Sequence, residues 1–273
     1  MKATKTLGPV SAELLLRLSA EGKSIFAIAD AQAITGKSYR ATTTLLSKLV
    51  YKRWLVRLAP GKYLIVPLEA GLESIPMVDR YVIAREVLAP LSYYISHYSA
   101  MELYQMTTQP VNTVYVTVPR QRTNRTIAGV AYRFLYANPR AFWGWQAIWA
   151  TDQEQIKVSD LEKTLLDCAA RPQLCGGLGE LAKGLWLHKD DLDESRLVAY
   201  IQRLNHKAVA KRIGFLLETF DLGRPETLTA LQAFINPRYA LFDPTLPDEG
   251  SYRARWRLRV NLNPDELKAI IWT

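Results

Sequence analysis

The sequence predicts a mixed α+β fold in two domains, and three observations support this prediction. Within residues 1–68, two helical segments flank a turn at Gly36 and are followed by two short strands. Residues 77–273 mix amphipathic helical segments with alternating, β-branched ones such as 113–118. Between them, residues 69–76 contain Gly and Pro and have no periodicity, which predicts a linker. The expected order is therefore a small N-terminal domain, a linker and a larger, helix-rich α/β domain.

The N-terminal domain begins with a predicted helix at 11–21, whose inward stripe is Leu14, Leu15 and Leu18. A short extended segment at 24–28 leads into a helix–turn–helix arrangement. Its second helix begins after Ser38, because a serine hydroxyl can accept from an unpaired amide in the first turn. The residues expected on the buried face of this helix are Ala41, Leu45, Leu46, Leu49 and Val50.

The opposite face of the second helix is polar and basic. Two strands follow at 55–58 and 63–66, joined through an Ala59-Pro60-Gly61 turn, and they form a ribbon that carries Arg57 and Lys62. Two helices followed by a ribbon is the order of a winged helix-turn-helix, which inserts its second helix into the major groove of DNA. The predicted DNA-contacting residues are Lys37, Tyr39, Arg40, Thr43, Thr44, Ser47, Lys48, Arg57 and Lys62.

The charge of the chain supports a polyanionic partner for this module. Residues 1–68 hold 11 Lys and Arg against 3 Asp and Glu, a net +8, whereas the other 205 residues hold 24 against 23, a net +1. A concentrated basic patch is typical of proteins that bind nucleic acid. The alternative is a solvated polar face on a small helical subdomain, which is the usual meaning of a charged helix face.

Composition excludes several other classes. No apolar stretch approaches the ~18 residues that a membrane span needs, and no apolar signal core follows the basic N-terminus, so we expect a cytoplasmic protein without a membrane partner. Cys168 and Cys175 are too few for a disulfide framework and predict a reduced, buried or half-buried pair.

The larger domain is predicted to hold strands at 113–118 and 129–136, with an arginine-containing loop between them. Capping boxes predict helix starts at Ser99, with Glu102, and at Ser159, with Glu162. Aromatic residues at 142–149 indicate a core or an interface. The remaining predicted helices are 77–88, 178–187, 194–204, 208–220 and 226–234.

Residues 252–260 alternate strictly and predict one half-buried strand with Ala254, Trp256 and Leu258 inward. The other face would carry Arg253, Arg255, Arg257 and Arg259. Four arginines could bind nucleic acid, an acidic partner surface, or carboxylates of the same domain, and we favour the last of these.

Catalytic and cofactor motifs are absent from the sequence. The three histidines lie far apart, and no phosphate loop, nucleophile elbow or paired CxxC is present. A nuclease remains an alternative, using Asp160, Glu162 or Glu266 as magnesium ligands. However, the capping box accounts for Glu162, and helical spacing turns Asp167 away from it. We therefore expect no enzyme activity, no cofactor and no metal.

Several segments, taken in order, resemble AbiEi-family antitoxins over almost the whole chain. Each segment alone is ordinary, and it is their order that carries the resemblance. The segments are Ser159–Asp167, Arg171-Pro172, Cys175–Gly177, Tyr239–Pro244 and Trp256–Asn261.

The resemblance implies the antitoxin of a bicistronic type IV toxin–antitoxin system of the abortive-infection type. Such an antitoxin binds inverted repeats in its own promoter through the winged helix, and its C-terminal domain counters a separate nucleotidyltransferase toxin. No toxin-neutralising residue can be carried over individually, so the four arginines of 252–260 are candidates on charge alone. The alternative from another class is a ligand-responsive regulator whose Trp-rich domain binds a small molecule.

Overall fold

The structure, a computed structural model, describes residues 6–67 and 78–270. The predicted linker at 69–76 lies outside these residues, so the boundary placed there stays a prediction. The chain forms two compact units. The first consists of Met1–Ser92, Thr123–Arg133 and Trp149–Gln155, and the second of Tyr93–Arg122, Phe134–Ile148 and Ile156–Thr273. The first unit is therefore larger than the predicted N-terminal domain, because segments from three later parts of the chain belong to it.

The first unit has the predicted order of helices and strands. Its elements are α1 (Pro9–Ala20), β1 (Ile25–Ala27), α2 (Ile28–Thr35), α3 (Tyr39–Tyr51), β2 (Leu55–Ala59), β3 (Lys62–Ile65) and α4 (Arg80–Leu88). The strands form an antiparallel sheet in the order β1-β3-β2. Gly36 ends α2 with a left-handed φ of 63°, a conformation that glycine adopts without a steric penalty.

The core of this unit lies between α1 and α3. Leu14 and Leu18 of α1 are fully buried and share one hydrophobic cluster with Leu46 and Leu49 of α3. The predicted stripes of both helices are thus largely confirmed. One position was wrong: Ala41 is exposed, and Thr42 is buried in its place. Thr42 is accommodated because its hydroxyl donates to the Ser38 carbonyl at 3.0 Å, which satisfies the buried polar group.

A six-stranded sheet has the order β6-β7-β5-β4-β9-β8. Its strands are β4 (Tyr94–Ile95), β5 (Thr113–Val118), β6 (Arg125–Ile127), β7 (Val130–Tyr136), β8 (Trp145–Thr151) and β9 (Glu154–Ser159). The prediction of β5 is confirmed to the residue, and that of β7 within one. Strands β4, β6, β8 and β9 were not predicted, and β6 begins within the segment that was expected to be an arginine-containing loop. The edge strand β8 is exposed or half-buried along its length, so its sequence lacks the apolar–polar alternation that marks a half-buried strand.

The helices of the second unit agree closely with the predicted segments. They are α5 (His97–Leu103), α6 (Leu161–Ala170), α7 (Leu178–Leu187), α8 (Glu194–Leu204), α9 (Lys207–Thr219), α10 (Pro225–Phe234) and α11 (Pro264–Ile270). Leu165, Leu181 and Leu216 are among the fully buried residues of their common core. Cys168 and Cys175 are both buried and unbridged, as predicted.

Both predicted capping boxes were wrong. Helix α5 begins after Ser96, so Ser99 lies inside the helix, where its hydroxyl accepts from the Tyr115 amide at 2.9 Å. Helix α6 begins after Asp160, whose carboxylate accepts from the Lys163 amide at 2.9 Å. Glu162 instead accepts from the Asp193 amide at 2.9 Å, which lies at the start of α8. For Ser99 and Glu162, partners distant in sequence replace the predicted capping contacts.

Residues 252–260 form a hairpin rather than the predicted single strand. Strands β10 (Ala240–Leu241), β11 (Ser251–Arg253) and β12 (Leu258–Val260) make a small sheet in the order β10-β12-β11. The reversal occurs at residues 254–257, with Arg257 in a left-handed conformation (φ 52°). Trp256 is buried in the turn, and its indole N–H donates to Oε2 of Glu218 at 2.6 Å. The alternating pattern predicted the burial of Trp256 and Leu258 correctly, but Ala254 is exposed in the turn and the predicted backbone path was wrong.

No helix in the described ranges is both long enough and apolar enough to cross a membrane.

The Trp256 site requires glycine at position 214. A β-carbon at Gly214 would lie 2.1 Å from Cζ3 of Trp256, far inside van der Waals contact. We predict that Gly214→Ala lowers the free energy of unfolding, because overpacking costs about 1–3 kcal/mol and outweighs the ~1 kcal/mol that alanine gains in helix propensity. Urea unfolding measures this change. Gly8→Ala is the control, because a β-carbon there meets nothing within 4 Å. Equal unfolding midpoints for Gly214→Ala and wild type would contradict the packing described.

Candidate nucleic-acid interface

Helix α3 presents a polar face opposite its buried one. The Ser38 hydroxyl accepts from the Ala41 amide at 3.4 Å, which confirms the predicted N-cap. With Thr42, Leu46 and Leu49 turned inward, helical spacing places Arg40, Thr44, Ser47 and Tyr51 on successive turns of the opposite side. All four are exposed, as are Lys37, Tyr39, Ala41 and Lys48. Thr43 is half-buried at the edge of this face.

The threonines of this face are already bonded to their own helix. The hydroxyls of Thr43 and Thr44 donate to the carbonyls of Tyr39 and Arg40 at 2.9 and 3.0 Å. Each oxygen keeps lone pairs that can accept from a base amino group, and each methyl can contact a thymine methyl. The long cations at either end of the face can reach phosphates or guanine edges.

The charges around α3 are not neutralised by the protein. Residues 31–67 contain seven Lys and Arg and no Asp or Glu. Within the described ranges, five of these cations have no side-chain hydrogen bond or ion pair: Lys37, Arg40, Lys48, Arg53 and Arg57. Cations of the preceding elements are paired, since Arg17 lies 2.7 Å from Glu13 and Lys23 lies 3.1 Å from Asp30. Arg133, on β7, is the other exposed cation of the described part of this unit without such a partner. The unpaired charge of the unit is therefore concentrated on and beside α3.

The two predicted wing cations are in different environments. Arg57, on β2, is exposed. Lys62, on β3, is half-buried, and its ammonium lies 2.7 Å from Oε2 of Glu86 on α4. Burial alone would raise the pKa of Glu86, but Lys62 and Arg85 hold it below its ordinary value, so the carboxylate stays charged. The sequence did not reveal Glu86 as the partner of Lys62, because the two residues are 24 positions apart. Sequence analysis also missed Arg53 as a candidate DNA contact, although this residue lies in the run 31–67 that contains no acidic residue.

The segment Ser159–Asp167 forms buried hydrogen bonds and a buried ion pair within its unit. The ammonium of Lys163 pairs with Asp167, donates to the Tyr94 hydroxyl at 3.2 Å and lies 5.1 Å from the Trp143 ring centre. Asp160 caps α6 and accepts from Tyr200 at 2.8 Å. The carboxylates therefore point to separate partners. Among the residues that the structure describes, no group of three or more His, Cys, Asp or Glu is arranged to hold a metal ion.

The three histidines also have separate structural roles. His97 is buried, and burial lowers its pKa from an ordinary value of 6.5 to about 4, an effect that the nearby Asp167 only partly offsets. His188 bonds to the Tyr104 carbonyl through Nε2 at 2.6 Å. The ring of His206 accepts from the Val209 amide at the start of α9.

The aromatic cluster at 142–149 is divided between core and surface. Trp143 is buried against Tyr200, with ring centres 4.7 Å apart, and Phe142 packs on Tyr94 at 5.2 Å. Trp145 lies under the ammonium of Lys157, and Trp149 is 63% exposed. The core alternative is confirmed for Trp143, and Phe142 is half-buried. For the exposed Trp149 the interface alternative stays a prediction.

The four arginines of 252–260 do not share one strand face. Arg255 lies 2.8 Å from Glu218, and Arg259 lies 2.8 Å from Asp248, which confirms the favoured interpretation for these two. Arg257 lies over the ring of Tyr239, 5.7 Å from its centre. Arg253 is exposed at the end of β11.

Comparison with known proteins identifies the central part of the chain. Residues 94–219 match the model of the AbiEi antitoxin C-terminal domain. We refer to these matched residues as the AbiEi domain. It contains helices α5 to α9 and strands β4 to β9, together with the buried Lys163–Asp167 pair. The AbiEi domain is thus the part of the chain that is similar to an antitoxin family, and helix α3 lies outside the matched residues.

A solved structure has the same fold over its whole length. The RV2827C protein from Mycobacterium tuberculosis matches with a TM-score of 0.72 at 18% sequence identity, covering 100% of this chain and 98% of that chain. At this identity the likeness shows the fold, which is mixed α+β as predicted. No curated protein matches the chain.

The buried His97 of the AbiEi domain predicts a pH dependence of stability. Because its pKa is lower in the folded state, the unfolded chain binds the proton more readily between pH 6.5 and about 4. The free energy of unfolding should therefore be fully retained above pH 6.5 and fall as the pH drops toward 4, by about 1–3 kcal/mol from this group. His97→Asn removes the titration and keeps a residue that tolerates the left-handed φ of 53°.

Urea unfolding of both proteins between pH 4 and 7 measures the difference. The two curves should diverge on the acidic side, with wild type losing more stability. Parallel curves would show that His97 does not titrate in this range.

Proposed function

We propose that this protein is a non-enzymatic antitoxin that represses its own operon by binding DNA through α3. In this proposal it belongs to a bicistronic type IV toxin–antitoxin system of the abortive-infection type and counters a nucleotidyltransferase toxin. Its DNA target is a pair of inverted repeats in its own promoter, so it acts in the cytoplasm. The AbiEi domain supports the antitoxin part of the proposal.

One observation carries the DNA-binding part. Six described cations of the first unit lack a protein partner, and five of them lie on or beside the exposed face of α3, within a 37-residue run, residues 31–67, that contains no acidic side chain; the sixth is Arg133 on β7. A nearby carboxylate can neutralise an exposed cation, as it does for Arg17, Lys23 and Lys62 of the same unit. A surface left positive in this way attracts the phosphate backbone and gains counterion-release free energy on binding.

The proposed contacts divide into two kinds. Arg40, Thr44 and Ser47 lie at the centre of the exposed face and would meet base edges in the major groove. The remaining proposed contacts are Lys37, Tyr39, Thr43, Lys48 and Arg57, with Lys62 as an indirect one. Lys62 would act mainly by holding the ribbon against α4 through Glu86, because its ammonium already has a carboxylate partner.

Arg40→Ala should relax sequence preference. A bidentate arginine contact to guanine contributes about 1–3 kcal/mol of discrimination, so the ratio of operator to nonspecific affinity should fall by about 10- to 100-fold. Alanine favours helix, so α3 remains folded. Gel shifts on operator and scrambled duplexes at one salt concentration measure the ratio. Arg17→Ala is the control, since Arg17 is an exposed arginine of α1 paired with Glu13. Equal ratios for Arg40→Ala and Arg17→Ala would remove Arg40 from the interface.

The two ribbon cations should differ in their salt dependence. Arg57→Ala should weaken binding to all duplexes alike and reduce the slope of log affinity against log salt by about 1, as expected for one lost phosphate contact. Lys62→Ala should leave this slope nearly unchanged, because its charge is neutralised by Glu86. Fluorescence anisotropy between 50 and 300 mM salt gives both slopes. A larger effect at Lys62 than at Arg57 would show that DNA displaces Glu86 from the ion pair.

The antitoxin activity is tested by growth rescue with the full-length chain. We expect the product of the neighbouring gene to stop growth when expressed alone, and co-expression of this protein to restore it. Arg40→Ala should still rescue when both genes are expressed from unrelated promoters, because DNA binding is then not needed. Fragments are unsuitable, since residues 123–133 and 149–155 belong to the first compact unit. A harmless neighbour, or no rescue by wild type, would refute the antitoxin part and leave the DNA-binding part in place.

A further inference from the structure

A hairpin from the middle of the chain belongs to the same compact unit as α3 and the ribbon of β2 and β3. Strands β6 and β7 pair antiparallel, with Arg125 opposite Tyr132, and residues 123–133 lie in the first unit. Ala128 and Gly129 join the strands with positive φ values of 51° and 84°, which are those of a tight type I′ turn. The hairpin is therefore a defined element of this unit.

Two hydrogen bonds fix the hairpin on the unit. The guanidinium of Arg125 donates to the carbonyl of Leu58, 67 positions away, and the Tyr132 hydroxyl donates to the Arg80 carbonyl at 3.0 Å. Leu58 lies at a register shift in β2, which is an edge strand of its sheet. A bulge of this kind leaves one residue out of the strand ladder, so a donor from another element can bind its carbonyl. The ribbon and the hairpin thus meet at Leu58.

Arg125 keeps its positive charge at this position. It is exposed, and its partner is a neutral carbonyl, with no carboxylate paired to it among the residues that the structure describes. A guanidinium has five N–H donors, so one carbonyl leaves others that can bind phosphate oxygens. Arg57 directly precedes Leu58 and is also exposed. Arg125 is therefore bound next to the exposed cation of the ribbon.

The sequence around the hairpin repeats the charge pattern of the α3 region. Residues 103–151 contain five arginines and no Asp, Glu or Lys. Leu58 belongs to the acid-free run 31–67 and Arg125 to this second run, so the fold brings two acid-free runs into contact. A surface built in this way stays positive and attracts a polyanion. The cations are spread over α3, β2 and β6 rather than converging on one point, which favours a nucleic-acid backbone over a single small anion.

The two exposed arginines of the hairpin lie on opposite faces of the sheet. Residues directly opposite each other on paired strands lie on the same face, so Arg125 shares the face of Tyr132, which contacts α4 through the Arg80 carbonyl. Arg133 follows Tyr132 along β7 and therefore lies on the other face, exposed and without a partner among the described residues. Arg133 thus has the same charge as Arg125 but points away from the ribbon.

We propose that Arg125 and Arg57 together bind phosphates of the DNA beside the ribbon, so that the DNA interface includes a hairpin outside the winged helix. The inference rests on the proposed DNA binding and adds a second segment of the chain to it. Arg125 then has two roles, since one N–H holds the ribbon at Leu58 and the others bind phosphate oxygens. The hairpin lies within the matched residues 94–219, so the AbiEi domain would itself contribute to operator binding.

Arg125→Gln in the full-length protein separates the two roles. The glutamine amide can still donate to the Leu58 carbonyl, but it carries no charge. Arg133→Gln is the matched control, because it removes the same charge from the other face of the same hairpin. Arg125→Lys keeps the charge. Fluorescence anisotropy over the salt range used for Arg57→Ala, on a promoter-repeat duplex and a scrambled duplex, gives the slope of log affinity against log salt. Circular dichroism melting reports folding.

We expect Arg125→Gln to reduce the slope by about 1 on both duplexes, and Arg57→Gln/Arg125→Gln to reduce it by about 2, as for one and two lost phosphate contacts. Arg125→Lys and Arg133→Gln should keep the wild-type slope, and all variants should melt as wild type does.

Three results would overturn the inference. An unchanged slope for Arg125→Gln, whether or not its melting temperature falls, would leave Arg125 with a structural role alone. An equal loss of slope in Arg133→Gln would show an effect of net charge rather than of a contact. An effect of Arg40→Ala on operator preference without any effect of Arg125→Gln would overturn this inference and leave the DNA-binding proposal in place. If wild type binds neither duplex, the DNA-binding proposal fails and this inference fails with it.

Discussion

The burial of one face of α3 is the constraint on which the proposed DNA interface depends. Leu46 and Leu49 pack with Leu14 and Leu18 of α1, which sets the rotation of α3 about its axis. Once this rotation is fixed, the side chains that face outward are fixed as well. Packing of the inner face therefore determines the exposed residues, which are Arg40, Thr44, Ser47 and Tyr51. Burying such leucines contributes about 1.5–3 kcal/mol each, far more than any polar contact on the outer face could oppose.

Charge compensation separates the structural cations from those available to a partner. In the first unit, Lys62 joins the ribbon to α4 through Glu86, whereas the cations of α3 face no acidic residue among those described. In the second unit, Lys163 and Asp167 form a buried pair, and Arg255 and Arg259 are held by carboxylates. Counting arginines along the chain cannot make this distinction. It requires knowing which carboxylate lies within about 4 Å of each cation, the reach of an ion pair.

Tertiary contacts that the sequence does not reveal also explain the two wrong predictions of helix starts. The pattern Ser-x-x-Glu predicted caps at Ser99 and Ser159, and both residues instead serve the sheet or its junction with α6. A capping hydrogen bond contributes about 1 kcal/mol, so a competing partner brought close by tertiary packing can replace it. The cap at Ser38 was predicted correctly, since Ser38 is exposed and no distant group competes for its hydroxyl.

The sequence by itself determined the positions of most helices and of strands β2, β3, β5 and β7, the basic character of the N-terminal region and the absence of recognised catalytic motifs. Periodicity predicts helices and strands because an apolar stripe must be buried whatever it packs against. For this reason α7, α8 and β5 begin and end where their sequence patterns do. Only the tertiary structure decided that residues 252–260 turn back on themselves, that Glu86 neutralises Lys62, and that Gly214 admits Trp256. Each of these depends on residues far apart in the chain, and such distances are set by packing rather than by any local pattern.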